Sequence, residues 1–168
     1  HQYSLSTEQQ QNGADLSQTN ILYTGNVMEY CNYSIEYFLS GVPAGNPSHM
    51  GNLRIEDNYM WYAGRGLCAQ RPDKTEAAHI KGWNHDNPAE NYVIRNNLMV
   101  DSFNMLVHIY ASLPGPDGGD SMPQLEGNQF AGHSGDLFGV LAYQDGTRRQ
   151  YTQDVVSYMG EKSHGDTL

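Results

Sequence analysis

One sequence pattern occurs four times along this chain, and it constrains the fold more than any other feature. The copies read ILYTGNVMEYCNYSIEYFL, LRIEDNYMWYAGRGLCAQR, YVIRNNLMVDSFNMLVHIY and PQLEGNQFAGHSGDLFGVL, aligned on Asn26, Asn58, Asn97 and Asn128. Apolar residues recur at three fixed offsets from these anchors. They are Tyr23, Ile55, Ile94 and Leu125 before the anchor, Met28, Met60, Met99 and Phe130 just after it, and Ile35, Leu67, Leu106 and Leu137 further on. Each copy is therefore interpreted as one repeated structural unit.

A unit of this size cannot bury its apolar side chains alone, so it has to stack on its neighbours. Stacked at the strand spacing of roughly 4.8 Å, the three columns become apolar ladders inside a parallel solenoid. The anchor asparagine suits a tight corner, because Asn tolerates the left-handed conformation and its amide can bond to the next asparagine. The alternative is an antiparallel sandwich with four Asn-containing turns. The fixed offsets on both sides of the anchor favour the solenoid.

The repeat resembles the right-handed parallel β-helix proteins of the pectate-lyase-like superfamily. Longer phrases, among them GADLSQTNILYTGN, YCNYSIEYFLSG and AHIKGWNHDNPAENYVIRNN, are similar to the C-terminal part of bacterial β-helix repeat proteins of the carbohydrate-active type. The resemblance implies an all-β, right-handed parallel β-helix of about four coils with a C-terminal cap. The superfamily includes lyases, hydrolases, epimerases and non-enzymatic spikes, so the resemblance is more specific for fold than for chemistry.

The chain is expected to be a single domain over 1–168, forming the C-terminal part of a longer β-helix. Residues 1–17 are predicted as a polar lead-in, 18–141 as the four coils and 142–168 as a cap and tail. Three turn-rich stretches, 40–51, 72–91 and 113–122, are predicted to leave the repeat at the same offset and to line one edge as a wall of loops. Loops held on a rigid scaffold are where binding sites usually occur.

Composition bears on the partners. Nine basic against nineteen acidic residues give a formal net charge of −10, which disfavours nucleic acid and anionic membranes. Carbohydrate is the predicted partner, together with missing N-terminal coils of the same protein or a companion chain, and no cofactor is predicted. Cys31 and Cys68 stand at unequal offsets and are predicted to be buried free thiols. The compartment is left open, with a secreted or cell-surface location slightly favoured.

The densest group of chemically versatile side chains lies in the middle stretch. His79, His85, Asp86 and Lys81 are the predicted catalytic residues, while Trp83, Arg71 and Lys74 are predicted to bind substrate. Imidazole groups can transfer protons near neutral pH, an ammonium group can stabilise charge, and indole offers a flat apolar face to a sugar ring. The alternative is a structural loop in which these groups satisfy turns. The two histidines and Asp86 could also form a metal site, but a metal is not predicted because their spacing is loose and zinc usually needs a third strong ligand near by.

Other polar residues fit structural roles better. Glu56 is expected to point outward in a polar ladder with Thr24, Arg95 and Glu126, and His108 is expected to be a hydrogen-bonded interior residue. Tyr62 and Tyr110 could face a groove. The sequence thus predicts a carbohydrate-active β-helix that processes polysaccharide or oligosaccharide as a glycoside hydrolase or lyase, and the alternative is a non-enzymatic glycan-binding or structural β-helix.

Overall fold

The computed structural model describes residues 3–10, 18–40, 50–66, 77–85, 89–103, 105–112, 123–131, 138–144, 147–152 and 163–164. These residues form strands and turns and no helix, so they include no helix long and apolar enough to span a membrane. The strands are arranged in four sheets, and all pairings but one are parallel. The described part of the chain is therefore all-β, as the sequence predicts, and its arrangement is compatible with a solenoid.

Two of the sheets carry the repeat on either side of the anchor asparagine. The five-stranded sheet has the order β18-β14-β11-β7-β3, and the four-stranded sheet has the order β15-β12-β8-β4. The former contains β3 (Leu22–Thr24), β7 (Arg54–Glu56), β11 (Val93–Arg95), β14 (Gln124–Glu126) and β18 (Ser163–His164). The latter contains β4 (Val27–Glu29), β8 (Tyr59–Ala63), β12 (Leu98–Ser102) and β15 (Gln129–Ala131).

The six-stranded and three-stranded sheets complete the structure, with the orders β1-β5-β9-β13-β16-β17 and β10-β6-β2. The six-stranded sheet contains β1 (Tyr3–Gln10), β5 (Tyr33–Ser40), β9 (Ala78–His85), β13 (Met105–Ser112), β16 (Phe138–Gln144) and β17 (Thr147–Thr152). The three-stranded sheet contains β2 (Gln18–Thr19), β6 (Met50–Gly51) and β10 (Ala89–Glu90). Each repeat thus supplies one strand to each of the three larger sheets.

Two of the three predicted apolar columns are confirmed by the strand register. Neighbouring strands pair Tyr23, Ile55, Ile94 and Leu125 in one row and Met28, Met60, Met99 and Phe130 in the other. Side chains paired in a parallel sheet lie side by side on the same face, so each row forms a continuous apolar ladder. Both rows belong to the buried core, with the first-unit Tyr23 packed against it.

The third predicted column is wrong in its membership. Ile35 pairs with Ile80, which pairs with Val107, which pairs with Phe138. Leu67 and Leu137 lie outside the described residues, and Leu106 stands one position away from the row. The reason is that residues 78–85, expected in a loop, form a central strand of the six-stranded sheet. The stretches between strands therefore do not leave the repeat at one common offset, since 67–76 falls before the third strand of its unit and 41–49 after it.

The four anchor asparagines form one row, as predicted. The main-chain N and Nδ2 of Asn26 donate to Oδ1 of Asn58 at 3.1 and 2.9 Å, and the same pair of bonds joins Asn58 to Asn97 and Asn97 to Asn128. The left-handed corner conformation, however, belongs to the residue before each anchor. These residues are Gly25, Asp57, Asn96 and Gly127, with φ between 57° and 68° in three of them and 52° in Asn96.

The core of the six-stranded sheet shows why a glycine stands in the middle of β9. A Cβ atom added at Gly82 would overlap the phenol of Tyr37, its register partner on β5, which is fully buried. The ring of Tyr37 packs edge-on against Tyr92 at 5.3 Å between centroids, and burial raises the pKa of the Tyr37 hydroxyl. Gly82 therefore makes room for an aromatic side chain that fills the core.

The two ends of the stack differ. β17, within the stretch predicted as a cap, pairs with β16 antiparallel, while β1 lies in the predicted lead-in and pairs with β5 in parallel. Cys31 is a free thiol, as predicted, but it is partly exposed rather than buried, and Cys68 lies outside the described residues.

Candidate functional site

His79 is held inside the sheet structure rather than on an exposed loop. It is fully buried at the start of β9, with Nδ1 3.3 Å from Oγ of Ser34. Its Nε2 lies 3.0 and 3.2 Å from the main-chain carbonyls of Asp101 and Val100. Carbonyls can only accept, so Nε2 carries a proton; in the neutral ring Nδ1 then accepts from the serine hydroxyl.

Lys81 occupies the centre of a buried polar row. Its strand neighbours in register are Glu36 on β5 and His108 on β13, and the three side chains are 3, 5 and 1 % exposed. Nζ donates a 2.9 Å hydrogen bond to the hydroxyl of Tyr33 and lies 4.2 Å from the centroid of that ring. A carboxylate, an ammonium and an imidazole therefore lie side by side on three adjacent strands, and we call Glu36, Lys81 and His108 the polar row.

The remaining predicted site residues are only partly placed. Trp83 and His85 belong to β9 and pair with the strands on its two sides, Trp83 with Phe38 and Tyr110 and His85 with Ala111. The side chains of Trp83 and His85 lie outside the described part of the structure, as do Asp86, Arg71 and Lys74 entirely. The structure thus places His79 and Lys81 two residues apart on β9 and adds Glu36 and His108 on either side of Lys81.

The polar row has the groups needed for acid–base chemistry, but its side chains are not exposed to a substrate in solution. A carboxylate and an imidazole can exchange protons, and an ammonium beside them can stabilise an anion. Each of the three side chains is nevertheless at least nine-tenths buried. Buried charges persist in proteins when they are paired and hydrogen-bonded, so this arrangement also fits a structural role.

A second candidate site is exposed on the four-stranded sheet. Tyr59 and Trp61 flank the buried Met60 on β8, and the ring centroids of the two aromatic residues are 6.2 Å apart. Successive side chains of a strand point to opposite faces, so both rings lie on the outer face. Tyr59 is 50 % exposed, and Val27 beside it on β4 is 65 % exposed.

The same surface continues to Tyr30, which directly follows β4, and to Tyr62 near the end of β8. Both residues have a positive φ, of 55° and 58°, and their rings stack at 5.1 Å with an interplanar angle of 29°. They are 59 and 38 % exposed. We call Tyr30, Tyr59, Trp61 and Tyr62 the aromatic face. A left-handed backbone is uncommon for aromatic residues, and here it turns two of these rings out to solvent.

The sequence contains a signal for this face that the repeat alignment did not use. Met60 is an inward column position, so Tyr59 and Trp61 on either side of it are outward by alternation. Of these four residues, the sequence analysis predicts a groove-facing position only for Tyr62, which is exposed; that it faces a groove stays a prediction. Tyr110, singled out with it, has its side chain outside the described residues.

Three charged residues border the aromatic face, and two of them form an ion pair. Arg65 donates to Asp101 through Nε at 3.0 Å and through Nη2, which forms a bidentate ion pair at the edge of the face. Glu29 lies in register with Trp61 on the outer surface and is exposed. The surface is therefore mainly aromatic, with an acidic group on its border.

The neighbouring five-stranded sheet carries the predicted polar ladder. The register aligns Thr24, Glu56, Arg95 and Glu126 in one row, and the carboxylate of Glu56 bonds to Nη2 of Arg54 at 2.6 Å and to Nε of Arg95. Burial by itself raises the pKa of the Glu56 carboxyl, but the hydrogen bonds from Arg54 and Arg95 outweigh it, so this pKa lies below its usual range.

This lowered pKa predicts a loss of stability in acid. Glu56 binds a proton less readily in the folded chain than in the unfolded chain, so its contribution is present above the unfolded pKa of about 4.3 and is lost as pH falls through the lower folded pKa. We expect the melting temperature of the wild type to fall more steeply below about pH 4 than that of Glu56→Gln, measured by circular dichroism. Parallel curves for the two proteins would contradict the role given to this carboxylate.

The described residues define an all-β protein of stacked, mainly parallel sheets, with a buried polar row in one sheet and an exposed aromatic face on another. In the part of the chain that the structure describes, no three His, Cys, Asp or Glu side chains come together as a metal site requires. No family model, curated protein or solved structure matches the chain.

Proposed function

We propose that this chain is a right-handed parallel β-helix, of the kind the repeat resembles, and that it binds carbohydrate on the aromatic face. The observation that carries the proposal is the exposure of Tyr30, Tyr59 and Tyr62, with the half-buried Trp61 between them on the four-stranded sheet. Flat aromatic rings bury a large area with little loss of side-chain freedom, and their apolar faces suit the apolar faces of sugar rings.

The scaffold supports this role because it fixes the rings before a ligand arrives. Met60 between the two β8 rings is fully buried and paired in register with Met28 and Met99, which anchors the strand that carries them. Main-chain hydrogen bonds from Tyr30 to Trp61 and from Gly64 to Cys31 hold the corner that carries Tyr30 and Tyr62. A preorganised surface loses less conformational entropy when it binds.

Carbohydrate processing at the polar row is the second candidate function. The observation in its favour is the register of Glu36, Lys81 and His108, which supplies a carboxylate, a cation and an imidazole within three adjacent strands. Their burial makes binding at the exposed aromatic face the better supported of the two functions. Reducing ends or an unsaturated uronide released from a polysaccharide would favour processing, provided that Lys81→Met abolishes turnover while the melting temperature is kept.

The binding proposal predicts the effect of removing one ring. We expect Trp61→Ala to weaken binding to a polysaccharide that the wild type binds by about tenfold, since an aromatic contact contributes about 0.5–1.5 kcal/mol beyond its buried area. Affinity electrophoresis on a panel of neutral and acidic polysaccharides measures the change. Net charge −10 leads us to expect the neutral members to bind more strongly.

Leu22→Ala is the matched control for this experiment. Leu22 is 48 % exposed on the neighbouring five-stranded sheet and is not part of the aromatic face. Leu22→Ala should leave polysaccharide binding unchanged, although it removes exposed apolar area as Trp61→Ala does. Equal weakening by the two substitutions, or a wild type that binds no member of the panel, would overturn the proposal.

A further inference from the structure

Asp101 belongs to the same row of residues as the two stacked tyrosines of the aromatic face. The register pairs on either side of it place Asp101 on β12 opposite Tyr62 on β8, and the ring of Tyr62 stacks in turn on that of Tyr30. Along this row the backbone is left-handed at each residue, with φ of 55° at Tyr30, 58° at Tyr62 and 45° at Asp101. The row that presents an aromatic ring in each of the first two units therefore presents a carboxylate in the third.

The carboxylate of Asp101 is paired with Arg65 and keeps the capacity for further hydrogen bonds. Nε and Nη2 of Arg65 donate to its two oxygens, and the main-chain N–H of Arg65 donates to the carbonyl of Tyr62 at 3.2 Å. The side chains of Arg65 and Asp101 are 31 and 21 % exposed. A carboxylate has about four lone-pair sites, and two of them accept from Arg65, so the others can accept from a ligand at the surface.

The position of Asp101 is fixed from the interior of the protein. Nε2 of the buried His79 lies 3.0 Å from the main-chain carbonyl of Asp101 and 3.2 Å from that of Val100. Just beyond, the main-chain N–H of Phe103 donates to the carbonyl of Ala63 at 2.7 Å. The carboxylate is thus held in place before a ligand arrives, and a preorganised group loses little conformational entropy on binding.

We propose that Asp101 and Arg65 are the specificity-determining groups of the aromatic face and that they select an uncharged sugar over a uronic acid. This inference rests on the proposed carbohydrate binding. A sugar ring that stacks beside Tyr62 brings its hydroxyl groups to the oxygens of Asp101, which accept from them. A uronic acid in the same place brings its carboxylate against that of Asp101, and the guanidinium that could offset the repulsion is already engaged in the ion pair.

The net charge of −10 also disfavours a uronic acid, but this repulsion acts over a different range. Exposed charges more than a Debye length apart are largely screened, and this length is about 10 Å in 0.1 M salt and about 3 Å in 1 M salt. A sugar that contacts Asp101 lies within the shorter distance. A preference for uncharged sugar that persists at high salt therefore comes from the local pair rather than from the overall charge.

Calorimetric titration of the full chain with three polysaccharides tests the inference. A soluble β-glucan and a galactomannan are the neutral probes, and polygalacturonate is the acidic probe. The wild type should bind the better of the two neutral probes at least about tenfold more tightly than polygalacturonate, in about 0.1 M and in about 1 M NaCl. We call this ratio of affinities the neutral preference.

The two members of the ion pair should change the neutral preference in opposite directions. Asp101→Asn should lower it by about tenfold or more, because the repulsive carboxylate is lost and the guanidinium of Arg65 can then attract a uronic acid. Asparagine tolerates the left-handed backbone at this position. Arg65→Gln should raise the neutral preference, because the carboxylate then has no cation beside it. A purely structural ion pair would not give opposite shifts, since either substitution breaks it.

Asp57→Asn is the matched control for Asp101→Asn. Asp57 is exposed, has φ of 57° and is not part of the aromatic face, so its substitution makes the same change of charge at the same kind of backbone. It should leave the neutral preference unchanged. Circular dichroism checks that each variant is folded, and if Asp101→Asn is not, the direction of the shift in Arg65→Gln decides.

The outcomes distinguish this inference from the proposed function on which it rests. An unchanged neutral preference in Asp101→Asn, a fall in Arg65→Gln or an equal shift in Asp57→Asn would overturn the inference and leave carbohydrate binding standing. A wild type that prefers polygalacturonate, or that loses its neutral preference at high salt, would do the same. A wild type that binds none of the three probes would overturn both.

Discussion

Replacing Asn97 with alanine should lower the free energy of unfolding by about 2–6 kcal/mol, measured by urea denaturation. Asn97 is 1 % exposed and stands in the middle of the anchor row. Its Oδ1 accepts from the main-chain N and from Nδ2 of Asn58, and its own Nδ2 donates to the carbonyl of Ile55 and to Oδ1 of Asn128, both at 2.9 Å.

The size of this effect comes from the groups that lose their partners. Without the side chain of Asn97, the buried N–H of Asn58 has lost its acceptor and the carbonyl of Ile55 has lost a donor. Each buried polar group left without a partner costs about 1–3 kcal/mol, which gives the expected range.

Asn26→Ala is the matched control, because Asn26 belongs to the same row at its half-buried end. Its Nδ2 donates to Oδ1 of Asn58 and to the carbonyl of Thr24, which water can reach in part. We expect this variant to lose about 1 kcal/mol. Equal losses for the two variants would show that the row is not a cooperative element of the core.

The anchor asparagines and the apolar columns of Tyr23 and Met28 could be predicted from the sequence, because within each unit one short segment contains all three positions. From Tyr23 to Met28 each unit has the same length, so a fixed offset maps directly to a fixed place in the fold. The corner conformation could not be assigned so well. Both Gly25 and Asn26 tolerate a left-handed backbone, and the repeat alone does not distinguish which of them adopts it.

The position of the third strand in each unit could not be predicted from fixed offsets, because its distance from the anchor asparagine varies between units. Seven residues separate Met28 from Ile35, whereas twenty separate Met60 from Ile80. A fixed offset therefore selected Leu67 in the second unit and placed the true strand, Ala78–His85, in a loop. Solenoids tolerate insertions at corners because each unit contacts only its neighbours, and so the sequence period is lost there while the strand register is kept.

The same error shaped the predicted site. The sequence predicts His79 and Lys81 in an exposed loop, whereas both are buried in β9; that they share one site with His85 and Asp86 stays a prediction. Their burial could not be foreseen, because both faces of β9 are covered from Ala78 to Gly82, and strand alternation indicates burial only where one face is exposed. The partnership of Lys81 with Glu36 and His108 likewise depends on a register between strands more than twenty-five residues apart in sequence.

Replacing Met60 with alanine should lower the free energy of unfolding by about 2–5 kcal/mol, because it removes a fully buried side chain from the centre of an apolar ladder. Met60 is paired in register with Met28 on one side and with Met99 on the other, so its removal interrupts the ladder between two buried neighbours. Urea denaturation at neutral pH measures the change, with an unaltered m value as the sign that the rest of the fold is kept.

Two further substitutions distinguish the contribution of the buried methionine ladder from that of the exposed face of the same strand. Met28→Ala removes the same side chain from the first unit, where a described strand lies on one side only, and should cost less than Met60→Ala. Tyr59→Ala removes a larger but half-exposed side chain from the adjacent position and should stay within about 0.5 kcal/mol of the wild type. If Tyr59→Ala cost as much as Met60→Ala, the outward and inward faces of β8 would be assigned the wrong way round. The aromatic face and the methionine ladder would then fail together, because alternation along this strand defines both.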